Sequence, residues 1–262
     1  MISYANIVNV AAAKVKVYEG HVQSVENDIR AKIESGNGAN LFLVFSHPGA
    51  GATFLLERLT ELAPASCVSI PFDTFNYAIE FTGKLADAFG LYTPGEDYRK
   101  MPRYLFKAIE ASKRTNIFID DLEMLCNTRD EIKSLRSVIG ELLNRCANVN
   151  FVITLKSLRR FSSLAKYPGA SVFSLSKYVA EESCMQFVKE YSTELARRLG
   201  HVNMPIINLT TCSRSVSDWA ATARAAMIIA LARGSKTLDM GLEVSESDCD
   251  EVRRLLEIIA PR

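Results

Sequence analysis

Residues 41–59 read LFLVFSHPGAGATFLLERL, and they carry most of the information about the fold. Their opening LFLVFS is a continuous apolar run of the kind found in strands buried inside a parallel sheet. Gly49 and Gly51 follow in a turn, and from Thr53 to about Leu62 the pattern predicts a helix. A strand, a glycine-containing turn and a helix in this order form the framework of a phosphate-binding loop, whose backbone N–H groups surround phosphates.

This turn matches the full phosphate-loop pattern, G-x-x-x-x-G-K-[ST], only in part. Aligned on Gly51 and Thr53, the sequence reads S-H-P-G-A-G-A-T. Gly49 lies where many such loops have an inner glycine. Ser46 replaces the first glycine of the pattern, and Ala52 replaces the lysine that bridges the terminal phosphates. On this stretch alone, a phosphate loop and an ordinary strand-to-helix turn explain the residues equally well.

The segment 115–125, TNIFIDDLEML, predicts another strand, with an acidic end at Asp120 and Asp121. In a Walker B motif, one such carboxylate binds Mg²⁺ and the next orients or deprotonates the attacking water. A pair of aspartates that caps the following LEML segment is the alternative. Asp120 lies 67 residues after Thr53, with one strand and two helices predicted between them. Both motifs would therefore end on nearby strands at the carboxyl edge of one parallel sheet, where such folds bind ligands.

Strand and helix patterns alternate through the first two thirds of the chain, and only helices are predicted afterwards. Further strands are predicted at residues 66–72, 149–155 and 171–176. This alternation predicts an α/β fold with a parallel five-stranded sheet, followed by a C-terminal helical lid. The expected domains are an N-terminal helical segment, a nucleotide-binding core and the lid, at residues 1–38, 39–177 and 178–262.

Composition narrows the choice of compartment and partners. The net charge of +1 over 262 residues gives no bulk attraction to nucleic acid or membrane, so DNA binding would need a local patch or an oligomer. The six cysteines form no CxxC pair and the three histidines are far apart, which argues against a zinc site or a disulfide framework. With no secretion signal and no apolar run long enough to span a bilayer, we expect a cytoplasmic protein and no membrane partner.

Three residues at and beyond the strand 149–155 extend the site. In phosphate-loop ATPases with a helical lid, a polar residue near the end of this strand senses the terminal phosphate, and Thr154 occupies that place. Arg159 and Arg160 follow, and a basic residue there can reach a neighbouring subunit's nucleotide as an arginine finger. An ordinary strand-end threonine and a solvated basic loop account for the same residues.

In this order the pieces resemble an AAA+ ATPase, nearest to the transposition-regulator group of the MuB, TniB and TnsC type. The resemblance covers roughly residues 38–240. It rests on HPGAGATFLLERL, FNYAIEFTGKLADAFGL, the segment from NIFIDD to VITL, and SVSDWAATARAAMIIALARG. It implies binding of ATP and Mg²⁺ and ATP-dependent oligomerisation, as a ring or filament, on double-stranded DNA. It also implies a role in DNA recombination, in which the protein links a target-selection protein to a transposase.

The resemblance assigns roles to particular residues. Thr53 and Asp120 would hold the metal, and Asp121, Thr154, Arg159 and Arg160 would serve catalysis. The expected nucleotide contacts are the loop and the start of its helix: His47, Pro48, Gly49, Ala50, Gly51, Ala52, Thr53 and Phe54.

The expected DNA contacts follow the acidic pair. In the resembling proteins this region faces the central channel of a helical oligomer, and here it offers Arg129, Lys133 and Arg136. Because Asp130 and Glu131 interleave with them, a solvated charged face is the alternative.

Two departures from the motifs argue for weak or absent hydrolysis. Ala52 lacks the lysine charge, and Asp121 stands in place of the usual glutamate. Ala52 is either a natural loss or a deliberate Lys→Ala substitution, and the further departure at Ser46 favours natural degeneration. Arg214 and Arg224 are equal candidates for the lid arginine that contacts nucleotide.

Whether the chain is an active enzyme stays open, and a nucleotide-independent AAA+-like scaffold acting only through protein contacts is the alternative. An active small kinase or NTPase of another pathway is less well supported, because no acceptor-binding residues are recognisable.

Overall fold

The computed structural model describes residues 20–36, 38–70, 81–98, 101–112, 115–126, 128–175 and 181–198, and four single positions at 220, 223, 224 and 228. The chain divides into two compact units, one of residues 21–175 and the other of residues 1–20 with 176–262. The candidate site lies in the first unit. Most of the predicted lid, including Arg214, and the first part of the helix predicted before Gly90 lie outside the described residues.

Five parallel strands form the sheet of the first unit, which confirms the predicted α/β fold. The strands are β1 (Asn40–Ser46), β2 (Cys67–Ile70), β3 (Asn116–Ile119), β4 (Asn150–Leu155) and β5 (Ala170–Leu175). Their order across the sheet is β2-β3-β4-β1-β5, so β1 pairs with β4 on one side and with β5 on the other. The carboxyl ends of β1, β4 and β3 consequently lie side by side at one edge of the sheet.

Helices cover both faces of this sheet. Those of the first unit are α1 (Gly20–Glu34), α2 (Ala52–Leu62), α3 (Phe81–Ala88), α4 (Arg103–Ala111), α5 (Leu122–Leu125), α6 (Arg129–Arg145) and α7 (Ser162–Ala165). Side chains alternate along β1: Leu41 and Leu43 join one core with α3, α4 and α6, whereas Phe42 and Val44 join the other with α1 and α2. Burial of both faces explains why this strand is apolar throughout.

Helix α1 belongs to the same core as the helix of the glycine turn. Val22, Val25 and Ile29 are buried against the second face of the sheet. A Cβ atom on Gly51 would lie 3.2 Å from Cγ2 of Val22, so α1 also closes over the glycine turn. The residues of α1 therefore help to set the shape of the loop.

Helix α6 begins with a capping box that its sequence encodes. The Thr128 hydroxyl accepts a hydrogen bond from the Glu131 backbone N–H (3.2 Å), and the Glu131 carboxylate accepts one from the Thr128 N–H (2.8 Å). On its buried side, Gly140 leaves room for the Tyr167 ring, which a Cβ atom would approach to 3.2 Å. The capping box fixes the start of α6, and the Gly140 contact packs the helix against the segment that precedes β5.

An amide ladder ties three strands together at the opposite edge of the sheet. The Asn40 side chain donates to Asn150 Oδ1 (2.8 Å), and the Asn150 side chain donates to Asn116 Oδ1 (2.9 Å). Each asparagine is the first residue of its strand. The ladder satisfies polar groups at the amino ends of β1, β4 and β3, and so favours the register that aligns their carboxyl ends.

Two short helices, α5 and α7, were not expected from the sequence. The strand predicted over residues 115–125 ends at Ile119, and Leu122–Leu125 forms the short helix α5. Asp121 causes the change of direction, because its backbone adopts the left-handed conformation (φ 47°, ψ 68°). A turn of this kind leaves no signal in the hydrophobic pattern.

The second unit is described mainly by helix α8 (Glu181–Arg198). Phe187 and Tyr191 are buried and stack with ring centroids 5.8 Å apart. Nε of Arg224 donates to the Tyr191 hydroxyl at 2.5 Å, which gives this candidate lid arginine a partner within its own unit. None of the helices in the described part of the chain is long and apolar enough to cross a bilayer.

Candidate functional site

The turn between β1 and α2 has the backbone geometry of a cradle. Gly49 (φ 79°) and Gly51 (φ 92°) both adopt the left-handed conformation that residues with a Cβ atom rarely adopt. The Ala50 N–H donates to the His47 carbonyl at 3.1 Å, which closes the turn. Gly51 is the N-cap of α2, so the helix presents the N–H donors of its first turn toward this loop.

The other residues of the loop differ in exposure. His47 and Pro48 are exposed, and the His47 ring lies edge-on to the Phe45 ring with centroids 5.2 Å apart. Ala50 is buried, whereas Ala52 and Phe54 are half-buried against the core that contains α1.

A hydrogen-bonded network joins the three predicted motifs. Oγ1 of Thr53 donates to Oδ2 of Asp120 at 2.7 Å, and Oγ1 of Thr154 donates to Oδ1 of Asp120 at 2.6 Å. The Asp121 N–H donates to Oγ1 of Thr154 at 2.7 Å. Thr53 lies in the first turn of α2, which follows β1, and the other three residues lie at the carboxyl ends of β3 and β4. The sheet order brings these ends together.

Asp121 is held in an ion pair that the sequence motifs did not indicate. Its Oδ2 atom contacts the ammonium group of Lys156, the first residue after β4. The hydrogen bond to Asp121 is the largest cause that raises the pKa of Lys156 above its usual value, so this side chain stays positively charged at neutral pH. The second oxygen of Asp121, Oδ1, is buried and has no hydrogen-bond partner among the residues that the structure describes.

Glu123 fixes the backbone of the segment that carries Lys156. Its Oε1 atom accepts hydrogen bonds from the N–H groups of Lys156 and Ser157, both at 2.8 Å. Helix α5 is thereby clamped to the end of β4. Sequence reasoning missed both Glu123 and Lys156, because a lone glutamate or lysine in a loop has no motif.

The donor set fits the phosphates of a nucleotide together with Mg²⁺. Mg²⁺ prefers oxygen ligands, and Thr53 and Asp120 supply a hydroxyl and a carboxylate at hydrogen-bonding distance. The buried free oxygen of Asp121 can accept a further hydrogen bond at the same edge. Within the described residues, no group of three or more His, Cys, Asp or Glu side chains could hold a metal by itself. The remaining ligands would therefore be phosphate and water oxygens.

The two predicted arginine-finger residues and one of the predicted DNA residues line the same cavity. Arg129, Arg159 and Arg160 line a cavity of about 490 Å³ with Thr128, Ile132 and Ser157. The Arg160 guanidinium donates to the Cys126 carbonyl at 2.8 Å. Arg129 and Arg159 are exposed. In the sequence analysis Arg129 was a candidate DNA contact and the other two arginines were candidate arginine fingers, whereas the fold places all three at one surface.

The other two predicted DNA residues lie on the exposed side of α6. The Lys133 ammonium pairs with Oδ1 of Asp130 at 3.2 Å, and both side chains are largely exposed. Arg136 is exposed one turn further along the helix, and the intervening Leu135 is buried. Arg129, Lys133 and Arg136 therefore belong to one exposed helix face, and their contact with DNA stays a prediction.

Solved structures of AAA+ proteins share this fold. The chain is similar to Drosophila ORC bound to DNA (14% identity, TM-score 0.56), covering 98% of this chain and 65% of that chain. It is similar to Cdc6p from Pyrobaculum aerophilum (12%, TM-score 0.58; 98% and 85% covered) and to the Aeropyrum pernix ORC1 protein in complex with DNA (14%, TM-score 0.60; 96% and 69% covered). No family model and no curated protein matches the sequence. At these identities the similarity shows the α/β fold of AAA+ proteins, and the chain spans about two thirds of the length of the ORC chains.

Proposed function

We propose that this chain is an AAA+-type protein that binds ATP with Mg²⁺ and assembles on double-stranded DNA. The observation that carries the proposal is the network of Thr53, Asp120 and Thr154, which joins the glycine turn to the acidic strand. A plain strand-to-helix turn has no need of a hydroxyl aimed at a carboxylate on another strand. Two of the similar structures named above are complexes with DNA, which supports a DNA partner for this chain.

Backbone groups of the site would bind the phosphates, and side chains would bind Mg²⁺. The left-handed glycines and the first turn of α2 would donate backbone N–H groups to the phosphates. Thr53 and Asp120 would hold Mg²⁺, which neutralises phosphate charge when it is bound. Thr154 would orient Asp120, since its hydroxyl donates to that carboxylate.

The same residues favour holding ATP over splitting it. Ala52 has no charge to place on the terminal phosphates, so transition-state charge receives less stabilisation there. Oδ2 of Asp121 is occupied by the Lys156 ammonium, so this oxygen is not free to position the attacking water. We therefore propose weak or absent hydrolysis and a role as an ATP-dependent assembly on DNA.

The finer role that we propose is regulation of DNA transposition. An ATP-bound oligomer on target DNA would link a target-selection protein to the transposase, as the resemblance to the MuB, TniB and TnsC type implies. Slow hydrolysis suits such a platform, because the assembly would persist while its partners bind. The alternative is a nucleotide-independent scaffold, for which the observation is Ala52 itself.

Two measurements test this proposal. Calorimetric titration with ATP, with and without Mg²⁺, should show binding that Mg²⁺ strengthens. Electron microscopy of the protein with duplex DNA should then show rings or filaments with ATP and few or none without nucleotide. Binding of DNA or partners with no nucleotide affinity would support the scaffold instead. Absence of both nucleotide binding and assembly would overturn the proposal.

A further inference from the structure

Lys156 lies beside the acidic pair, directly after the carboxyl end of β4. Its backbone N–H is held by Glu123 at the carboxyl end of β4, and its ammonium group contacts Asp121. Asp121 directly follows Asp120, and the Asp120 carboxylate accepts hydrogen bonds from the hydroxyls of Thr53 and Thr154. An unbroken series of contacts therefore leads from the helix of the glycine turn to the Lys156 ammonium.

The positive charge of Lys156 matters for nucleotide binding, because two carboxylates lie beside it. Two carboxylates at the edge of the loop would repel the phosphates of a nucleotide, and Ala52 offers nothing to offset them. Lys156 neutralises Asp121, yet its side chain is still 50% exposed and so remains accessible from the side of the solvent. An ammonium on a flexible four-carbon stem can keep one carboxylate contact and donate a second hydrogen bond to a phosphate, because it carries three donors.

We propose that Lys156 supplies to the terminal phosphates of the nucleotide the cation that position 52 lacks. The proposal rests on the proposed function, since it concerns the same site. The cation would then come from the end of β4 and not from the loop. The ligand that such a cation would bind is a nucleoside di- or triphosphate. Arg160 is less suited to this task, because its guanidinium is turned to the Cys126 carbonyl.

Nucleotide titrations of matched variants test this role. Binding of ATP, ADP and AMP with Mg²⁺ would be measured by calorimetry for the full chain, for Lys156→Ala and for Lys156→Arg. Lys166→Ala is the control, because Lys166 is an exposed lysine at the amino end of β5, at the opposite edge of the sheet. A hydrogen bond to a charged group corresponds to about tenfold or more in affinity. We expect Lys156→Ala to weaken ATP binding by about tenfold or more and AMP binding by less than about twofold.

Lys156→Arg should retain most of the ATP affinity, and Lys166→Ala should match the unaltered chain. Two further variants separate the loss of charge from an effect on folding. Adding Ala52→Lys to Lys156→Ala should restore ATP affinity, because it returns a cation to the loop itself. Lys156→Met keeps a long stem without charge, and it serves in place of Lys156→Ala if thermal melting shows that variant to be unfolded.

The outcomes distinguish this inference from the proposed function. If the unaltered chain binds no nucleotide, the proposed function fails and this inference fails with it. If the chain binds ATP but Lys156→Ala and Lys156→Met bind it equally well, only the role of Lys156 is overturned. An equal loss for ATP, ADP and AMP would also overturn it, because a phosphate-directed cation must distinguish these ligands.

Discussion

Oγ1 of Thr53 donates a hydrogen bond to Oδ2 of Asp120 at 2.7 Å, although 67 residues separate them in the chain. The contact links the first turn of α2 to the end of β3. It places a hydroxyl and a carboxylate together at the carboxyl edge of the sheet, beside the left-handed glycines of the turn. This pair is the point at which the glycine turn and the acidic strand become one site.

Removal of the Thr53 hydroxyl should abolish the Mg²⁺ dependence of nucleotide binding. Thr53→Val keeps the shape of the side chain but leaves Asp120 with one partner fewer. We expect ATP affinity in the presence of Mg²⁺ to fall by about tenfold, and affinity without Mg²⁺ to change little. Calorimetry with and without Mg²⁺ measures both.

Thr60→Val is the matched control on the same helix, because the Thr60 hydroxyl donates to the Leu56 carbonyl of that helix and, among the described residues, to no other group. Equal effects of the two substitutions would contradict a metal-binding role for Thr53.

A side chain at Gly51 should destabilise the fold and distort the loop. Gly51 has φ 92°, and a Cβ atom would lie 3.2 Å from Val22 Cγ2. We expect Gly51→Ala to lower the free energy of unfolding by about 1–3 kcal/mol, as strained left-handed positions do. Urea denaturation measures the loss.

Gly36→Ala isolates the backbone part of that cost. Gly36 also has a positive φ (62°), but within the described part of the chain no atom lies within 4 Å of its added Cβ. The free energy of unfolding should therefore fall less in Gly36→Ala than in Gly51→Ala. Adding Val22→Ala to Gly51→Ala should recover part of the difference. A Gly36 variant as unstable as the Gly51 variant would refute the steric contribution of α1.

Charge on the exposed face of α6 should control DNA affinity. The double variant Lys133→Ala/Arg136→Ala should weaken binding to duplex DNA and reduce the salt slope of log K by about 1 for each phosphate that is no longer neutralised. Fluorescence anisotropy over a range of salt concentrations gives both quantities. The variant Arg103→Ala/Lys107→Ala removes the same charge from exposed positions of α4. If both double variants weaken binding equally, the effect is one of net charge and not of this face.

Stability should fall as pH rises through the titration of Glu26. This side chain of α1 is 5% exposed, and burial is the larger effect on it, raising the pKa above the usual value despite Arg30 nearby. The folded state therefore holds the proton more tightly than the unfolded state, so unfolding becomes easier as pH rises from the unfolded pKa through the folded pKa. Glu26→Gln should remove this pH dependence and be more stable than the unaltered chain at neutral pH. Urea denaturation between pH 4 and 8 tests it, and an unchanged pH profile in the variant would contradict the assignment.

Local patterns predicted most elements of the core. The apolar runs of β1 and β4 and the periodicity of α2 and α6 are visible in the sequence, because burial on two faces or on one face imposes each pattern. The short helix α5 was missed, since four residues are too few for a helical period to show. Its cause, the left-handed backbone of Asp121, is equally invisible in residue type.

Residue order alone establishes the kind of elements and the kind of chemistry: a glycine turn after a buried strand, an acidic pair after another, and no lysine at position 52. Which of these side chains meet is a property of the folded sheet. The order β2-β3-β4-β1-β5 brings Thr53, Asp120 and Thr154 together, and it turns Lys156 toward Asp121 across 35 residues of chain. Such contacts depend on how strands are arranged across the sheet, which is set by long-range packing and is not written in any local stretch of residues.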